Sequence, residues 1–279
     1  MSIAIEPNPS ATDREEPAPR IVRQSKIYLV GRSELDAESV QQFLDDHETT
    51  WVTNTDNGTE LLSEMAGRVC YMSFGERQGR KSNRDYLMNI ISMEHGSVLE
   101  HAVWNLIVTG VSRSFSHELI RHRAGWGYSQ LSQRYVDESD TDFVEPDIIA
   151  DDPELHELWL ESIRQSHLAY VRLAQGLAER IAREREDLKA RNRRIAARQA
   201  ARSVLPNATE TKIFMSANAR ALRHFIEYRG APDAEPEIRK VAVAVLHVMR
   251  EEAPTIFGDY ELFELPDGSW SVKTEHKKV

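Results

Sequence analysis

Three consecutive basic residues, Arg121, His122 and Arg123, stand where an amphipathic pattern ends, and a polar run follows them. That run supplies hydroxyl, amide and guanidinium groups, from Ser129, Gln130, Ser132, Gln133 and Arg134. A guanidinium group can donate two parallel hydrogen bonds to the oxygens of one phosphate, and hydroxyls and amides fix a ligand's orientation. The set therefore fits a site for a planar, phosphate-bearing ligand. It fits equally well a solvated basic helix end followed by a polar loop, because short Arg-His-Arg runs are common.

The elements that must position these residues can be predicted from the local pattern. A helix begins after a cap at Ser112 or Ser114 and carries residues 121–123 at its end, where cations suit the helix dipole. The Gly-Trp-Gly sequence at 125–127 predicts a small flexible joint before the polar run.

Other segments predict further helices and strands. Strands are expected at 26–30, 102–111, 143–146 (an edge strand stopped by proline) and 212–216, with a hairpin over 260–272. Helices are expected at 33–47, 61–71, 83–93, 153–202 without interruption, 218–229 and 236–252.

The RHR sequence, a short spacer and SQLSQRY together resemble the signature of the flavin-dependent (alternative) thymidylate synthases. Residues 95–101 resemble that family's His-x-[Ser/Thr]-x-x-Glu-His element, and residues 201–206 resemble its Ala-Arg-x-Val-Leu-Pro phrase. The likeness extends over about residues 21–257. It implies an α+β fold of the thymidylate synthase-complementing type, in which an antiparallel sheet packs with long helices in a single domain. It also implies a homotetramer whose active sites are shared between subunits.

The resemblance assigns roles to individual residues. The catalytic residues would be Arg229, Ser132 and His95. The cofactor-binding residues would be Ser97, Arg121, His122, Arg123, Asn218, Arg220 and His224, with Glu100 orienting its neighbours. The substrate-binding residues would be Glu118, Arg121, Gln130, Leu131, Ser132, Arg134, Arg202 and Arg229.

The implied reaction converts a uracil nucleotide to its 5-methyl form, of the dUMP-to-dTMP type. Such a conversion requires a one-carbon donor and a reductant, and no protein side chain supplies a hydride. The resemblance implies FAD as hydride carrier, NADPH as reductant and 5,10-methylenetetrahydrofolate as carbon donor. Arg229 would stabilise negative charge that develops on the pyrimidine.

Two departures from the family pattern fall on the nucleotide pocket. The spacer between RHR and Ser132 has eight residues, 124–131, where the family usually has seven. Glu118 stands where the family commonly has glutamine, and a carboxylate accepts hydrogen bonds but does not donate them. These departures suggest a widened pocket that admits UMP, as an alternative to an ordinary thymidylate synthase with a harmless loop variant.

Three other functions compete with this interpretation. The arginines of 121–134 and 183–202 fit an RNA-binding face as well as a solvated helix face. Cys70 could act as a thiolate nucleophile, but free cysteines are usually inert core residues and the family resemblance implies none, so we expect no such role. A family relative that binds flavin and nucleotide without methylating is the third alternative. Residues 95–101 lack the single helical face of a zinc motif, so no metal is expected.

Composition limits the partners and the compartment. The formal net charge of −10 argues against a general nucleic-acid binder, and no apolar run approaches the length of a membrane span. Cys70 is the only cysteine, which excludes an internal disulfide and fits a reducing cytoplasm. Residues 1–20 are acidic and proline-containing without a signal-peptide pattern, and predict a disordered tail ahead of a domain at 21–279.

Overall fold

The computed structural model describes residues 19–277 and 279. The predicted tail therefore lies outside the described residues up to residue 18, and Arg20 is the first residue of a strand. None of the described helices is long and apolar enough to cross a bilayer.

The strands form one central sheet and two small pairs. They are β1 (Arg20–Val22), β2 (Lys26–Arg32), β3 (Val103–Ser112), β4 (Trp126–Gln130), β5 (Asp142–Val144), β6 (Glu210–Asn218), β7 (Glu261–Glu264) and β8 (Trp270–Lys273). The central sheet has the order β2-β3-β6-β4 and is antiparallel throughout. β1 pairs in parallel with β5, and β7 with β8 forms the predicted hairpin.

The helices lie between and after these strands in the chain. They are α1 (Ala37–Asp46), α2 (Gly58–Tyr71), α3 (Asn83–Ser92), α4 (Arg113–Leu119), α5 (Asp147–Ala150), α6 (Pro153–Glu184), α7 (Ala190–Ala201), α8 (Ala219–Arg229), α9 (Pro236–Glu252) and α10 (Pro254–Phe257). The predicted α+β class with an antiparallel sheet is confirmed.

The core lies between β3 and β6 and the helices α8 and α9. Alternate residues of β3, among them Trp104 and Leu106, are fully buried and face α-helical side chains. On α9 the apolar residues recur at helical spacing, so Val241, Val245 and Met249 share its buried face. The burial of this face explains why the sequence pattern predicts α9 at its observed bounds.

Two local predictions are wrong. The helix expected over 153–202 is broken at 185–189 into α6 and α7. Arg193 donates to the Leu188 and Glu186 carbonyls, and α7 folds back so that its few apolar residues, such as Ala197, are buried. Of the joint expected at 125–127, only Gly125 lies in a turn, with a φ of +76°; Trp126 and Gly127 begin β4, because the backbone from Trp126 onward pairs with the free edge of β6.

Candidate functional site

Helix α4 delivers the Arg-His-Arg segment to its position. The Ser112 side chain caps the helix by accepting from the Phe115 N–H at 3.0 Å, which selects Ser112 over Ser114 as the cap. The helix ends at Leu119, and residues 121–123 follow in the turn that leads into β4. These residues therefore lie just past the end of the helix, and not on its last turn as expected.

The segment opens into a cavity of about 710 Å³ between the turn at 121–126 and the exposed face of α8. It is lined by Glu100, Arg121, His122, Arg123, Ala124, Gly125, Trp126, Asn218, Arg220, Ala221, His224, Tyr228 and Arg229. The structure thus brings together most of the residues predicted to bind the cofactor, from two segments about a hundred residues apart in the chain. The guanidinium groups of Arg121, Arg123 and Arg220 belong to exposed residues, so they remain accessible to an anion.

Arg229 is held from three directions at the end of α8. Its Nε donates to Nε2 of His122 at 3.0 Å, and its Nη1 donates to Oε2 of Glu118 at 2.6 Å. Its Nη2 lies 3.5 Å from the Glu118 backbone carbonyl oxygen. The Tyr228 ring lies beneath the guanidinium, with 5.0 Å between the Arg229 Cζ and the ring centroid.

His122 lies in an aromatic pocket and is only 8% exposed. The rings of Trp126, Phe225 and Tyr228 surround it within 6.4 Å, centroid to centroid. Burial, with the nearby charges of Arg229 and His224, lowers the pKa of His122 from 6.5 to about 4. At neutral pH the imidazole is therefore uncharged, and Nε2 is free to accept the hydrogen bond from Arg229.

The N-terminus of α8 forms another wall of this cavity. Oδ1 of Asn218 accepts from the Ala221 N–H at 2.9 Å, so this side chain caps the helix. Gly125 approaches it closely with a φ of +76°, and a Cβ there would lie 2.8 Å from the Asn218 amide. Glycine at this position allows the turn at 121–126 to pack against the capped helix N-terminus, whose partial positive charge lies at the cavity wall.

A second cavity, of about 310 Å³, lies beside the first. His95 and Ser97 line it from the 3₁₀ turn Gly96–Glu100, and Arg220 lines both cavities. Nη1 of Arg220 donates to Oε1 of Glu100 at 2.6 Å, which is the orienting contact expected of Glu100. Cys70 also lines this cavity and is exposed, so the expectation of a buried core cysteine is wrong. The side chain falls outside the core because it lies at the exposed C-terminal end of α2.

The remaining predicted residues lie elsewhere in the protomer. Gln130, Leu131, Ser132, Arg134 and Arg202 do not line either cavity. β4 separates them from Trp126 by four residue steps, or about 13 Å of extended chain. Gln130 donates to the Thr211 hydroxyl at 3.2 Å. The structure therefore divides the predicted site into two groups at opposite ends of β4.

Arg113 is a residue that sequence reasoning missed. It is partly buried, its Nη1 lies 3.5 Å from the Leu131 carbonyl oxygen, and burial together with the charge of Arg202 lowers its pKa. It occupies the first turn of α4, where the helix dipole disfavours a cation. That unfavourable placement is the one feature of the sequence that distinguishes Arg113 from an ordinary surface arginine.

The competing interpretations lose support in part. Among the residues that the structure describes, no group of three or more His, Cys, Asp or Glu side chains could hold a metal ion. Several arginines of the 183–202 segment are engaged within the protein: Arg185 pairs with Asp187, Arg193 caps backbone carbonyls, and Arg198 pairs with Asp137. Fewer arginines of this segment are therefore available to form a continuous basic surface that could bind RNA.

Comparison with known proteins identifies related chains. The profile of the family described as thymidylate synthase complementing protein matches residues 51–255. A flavin-dependent thymidylate synthase from Mycobacteroides abscessus is 47% identical over 220 residues, which is 78% of this chain and 86% of that protein. One from Mycolicibacterium vanbaalenii is 43% identical over 245 residues, or 88% and 93% of the two chains. One from Corynebacterium glutamicum is 44% identical over 220 residues, or 78% and 86%.

A solved structure shares the fold. It is a UMP/dUMP methylase, PolB, from Streptomyces cacaoi, crystallised with 5-Br dUMP. The TM-score is 0.57 at 21% identity, and the match covers 86% of this chain and 95% of the methylase.

Proposed function

The chain belongs to the thymidylate synthase complementing protein family, and from this premise we propose that it methylates C5 of dUMP to give dTMP. It is a methyltransferase of the flavin-dependent thymidylate synthase class. In the proposed reaction methylenetetrahydrofolate donates the carbon, and NADPH supplies the reducing equivalents through FAD. The cytoplasmic location and the lack of a nucleic-acid partner stay predictions.

The observation that carries the proposal is the 710 Å³ cavity with accessible guanidinium groups at its rim and Arg229 fixed beside it. Its volume is typical of sites for small molecules and cofactors, which span about 300 to 1,000 Å³. Arginines at the rim favour a ligand with phosphate groups, and the rings of Trp126 and Tyr228 favour one with a planar ring.

The residues of this cavity fit FAD. Arg121, Arg123 and Arg220 would bind its pyrophosphate and ribose, aided by the partial positive charge at the N-terminus of α8. His224 stacks on Tyr228 with an interplanar angle of 14°, which offers an aromatic surface to the isoalloxazine or adenine ring. When bound, the flavin supplies the hydride transfer that no side chain can perform. Ser97, in the second cavity, would hold the flavin from its other side.

Arg229 would bind the uracil ring. Its charge beside the pyrimidine oxygens would stabilise the negative charge that develops when C5 becomes nucleophilic. His95, exposed in the second cavity, would lie on the approach of the substrate and the folate. The nucleotide phosphate would bind to Arg134 and Arg202, with Ser132 and Gln130 orienting base and sugar.

The separation of the two groups along β4 supports a shared active site. In this arrangement a nucleotide bound at Arg229 of one subunit would place its phosphate against the Ser132 group of a neighbouring copy. Burial and the positive charge of Arg202 lower the pKa of Arg113, against the opposing effect of the Glu138 carboxylate, so the two arginines lie near enough to bind one anion. We therefore include Arg113 in the phosphate site and propose that the enzyme assembles as a homotetramer.

The choice between dUMP and UMP rests on Glu118 and the spacer. Glu118 already accepts from Arg229, so this carboxylate is committed to the base-binding arginine rather than free for sugar hydroxyls. β4 pairs with β6 without a register shift, so the extra spacer residue does not form a bulge in the strand. Both observations favour dUMP, and UMP remains the second candidate because PolB, which shares the fold, is a UMP/dUMP methylase.

The direct test incubates the purified full chain with FAD, NADPH and methylenetetrahydrofolate, and with either dUMP or UMP. Mass spectrometry of the product is expected to show a 5-methylated deoxynucleotide, with dUMP turned over much faster than UMP. Comparable turnover of UMP would support the widened pocket. A protein that binds flavin, absorbing at about 450 nm, and oxidises NADPH without forming a methylated product would be a relative that has lost methylation. A colourless protein would contradict the proposal.

The shared site has its own test. An Arg121→Ala variant and an Arg202→Ala variant are expected to be nearly inactive alone. When the two variants are mixed under conditions that allow subunit exchange, some active sites combine Arg121 of one subunit with Arg202 of another, and activity returns. No recovery, despite demonstrated exchange, would place both groups in one subunit's site.

A further inference from the structure

We propose that His122 is a positioning residue for Arg229: its Nε2 accepts the Nε–H of Arg229 and fixes the plane of the guanidinium that meets the uracil. This inference rests on the proposed function for the meaning of Arg229. It assigns to His122 a task different from the flavin contact that its place in the RHR motif predicts.

The geometry separates the functions of the three RHR residues. Arg121 and Arg123 are exposed at the cavity rim, whereas His122 points inward and is 8% exposed. The 3.0 Å contact to Arg229 uses Nε2 of the ring. A side chain whose acceptor nitrogen is occupied and whose faces are covered by aromatic rings presents little surface to a flavin.

The position of His122 is fixed through both its backbone and its ring. The Tyr128 hydroxyl donates to the His122 carbonyl oxygen at 2.8 Å and lies 3.1 Å from the Leu119 carbonyl oxygen. The Phe225 ring meets the imidazole edge-on at a centroid distance of 5.4 Å. A ring held in this way places its acceptor nitrogen at a defined point, which is the property that a positioning group requires.

The charges around the ring favour an acceptor. Arg229 and His224 are the basic groups that face His122, and both disfavour a second positive charge there. The Glu118 carboxylate neutralises Arg229 from its Nη1 side, 2.6 Å away. The neutral ring with its proton on Nδ1 is therefore the form that binds Nε–H of Arg229.

Arg229 depends on this contact because its other hydrogen bonds go to Glu118 alone, and the Tyr228 ring beneath it does not fix the direction of its N–H groups. Glu118 provides both the carboxylate on Nη1 and the more distant carbonyl on Nη2, and its side chain is partly exposed. Without His122, rotation about the Cγ–Cδ and Cδ–Nε bonds can turn the planar guanidinium toward Glu118. The donors directed at the uracil would then be misaligned, and a charge-assisted hydrogen bond of this kind is commonly worth a factor of about ten in affinity or more.

The test compares His122→Leu, which removes the acceptor, with His122→Gln, whose amide oxygen can reach the position of Nε2. His117→Leu is the matched control, because His117 is an exposed histidine on α4. For each variant we would measure the flavin content of the full chain, the KM for dUMP and kcat. His122→Leu is expected to raise the KM about tenfold while it retains flavin, and His122→Gln is expected to restore most of the affinity. Loss of flavin with an unchanged KM in His122→Leu would overturn the proposal.

A second measurement needs no substrate. In a ¹⁵N-histidine-labelled protein at pH 7, the His122 resonance, assigned by its absence in His122→Gln, should show an unprotonated Nε2 and a protonated Nδ1. A protonated Nε2 would overturn the proposal even if His122→Leu failed to fold. If the tautomer is as expected but the protein does not methylate dUMP, the proposed function fails while the contact between His122 and Arg229 stands.

Discussion

Replacing His122 by glutamine should flatten the dependence of stability on pH in the acid range. In the folded protein the pKa of His122 is lowered from 6.5 to about 4 by burial, by Arg229 and by His224. Between these two values the unfolded chain binds a proton that the folded protein excludes, so acidification favours unfolding. The stabilisation is fully present above pH 6.5 and is lost progressively as the pH falls toward 4.

The magnitude follows from the two pKa values. Each unit of difference corresponds to about 1.4 kcal/mol, so this one group should cost the folded wild type about 2 kcal/mol between pH 7 and pH 5. The His122→Gln variant has no titrating group at this position and should not show this part of the loss. Buried carboxyl groups with raised pKa, such as Glu60 and Glu237, titrate in both proteins and cancel in the comparison.

The assay is urea unfolding of both proteins at pH 7, 6 and 5, at one protein concentration because assembly contributes to apparent stability. At each pH the free energy of unfolding of the variant is subtracted from that of the wild type. The change of this difference with pH is the result that matters, because the substitution also alters contacts that do not depend on pH. His117→Gln serves as the control, and its difference from wild type should change little over the same range. If the difference in unfolding free energy between wild type and His122→Gln stays constant within about 0.5 kcal/mol from pH 7 to pH 5, the conclusion that His122 is buried and neutral is wrong.

Three further predictions concern other parts of the site and its support. Gly125→Ala should destabilise the protein by about 1–3 kcal/mol, because alanine is strained at φ +76° and its Cβ would contact the Asn218 cap. Thermal unfolding checks this, with Gly127→Ala as the control, because a Cβ on residue 127 would lie 3.8 Å from its nearest neighbour. Arg223→Ala should cost about 3–5 kcal/mol in urea unfolding, because it leaves a buried carboxylate without its partner. Arg113→Gln should raise the KM for dUMP about tenfold with flavin retained, and unchanged steady-state kinetics would exclude Arg113 from the phosphate site.

The sequence predicts best those elements that carry their own signal. Helix α9 and the Asn218 cap of α8 follow from apolar periodicity and cap chemistry within a dozen residues. β4 was not predicted because Gly125 and Gly127 favour a turn at that point, and the strand forms by pairing with β6, more than eighty residues later. The break before α7 arises from packing back onto α6, which no local propensity encodes.

Most residues of the candidate site could be predicted from the sequence, but their contacts could not. The family resemblance identifies Arg121, Arg220 and Arg229 one by one, but spacing alone gives no reason for segments so far apart to share a cavity. The contact of Glu118 with Arg229 joins residues 111 positions apart and becomes visible only in the folded chain. The inward orientation of His122 likewise depends on rings from α8 that pack around it after folding.

Helix α8 also has a side that faces away from any ligand. There Arg223, 1% exposed, binds the Asp259 carboxylate through two nitrogens at 2.6 and 2.8 Å and reaches the His276 carbonyl at 3.2 Å. Substitutions near Asp259 would therefore tilt or loosen the helix that presents Arg220 and Arg229. In a genetic screen for lost activity, such changes in the C-terminal hairpin region would score like active-site lesions, although the altered side chains would never touch nucleotide or cofactor.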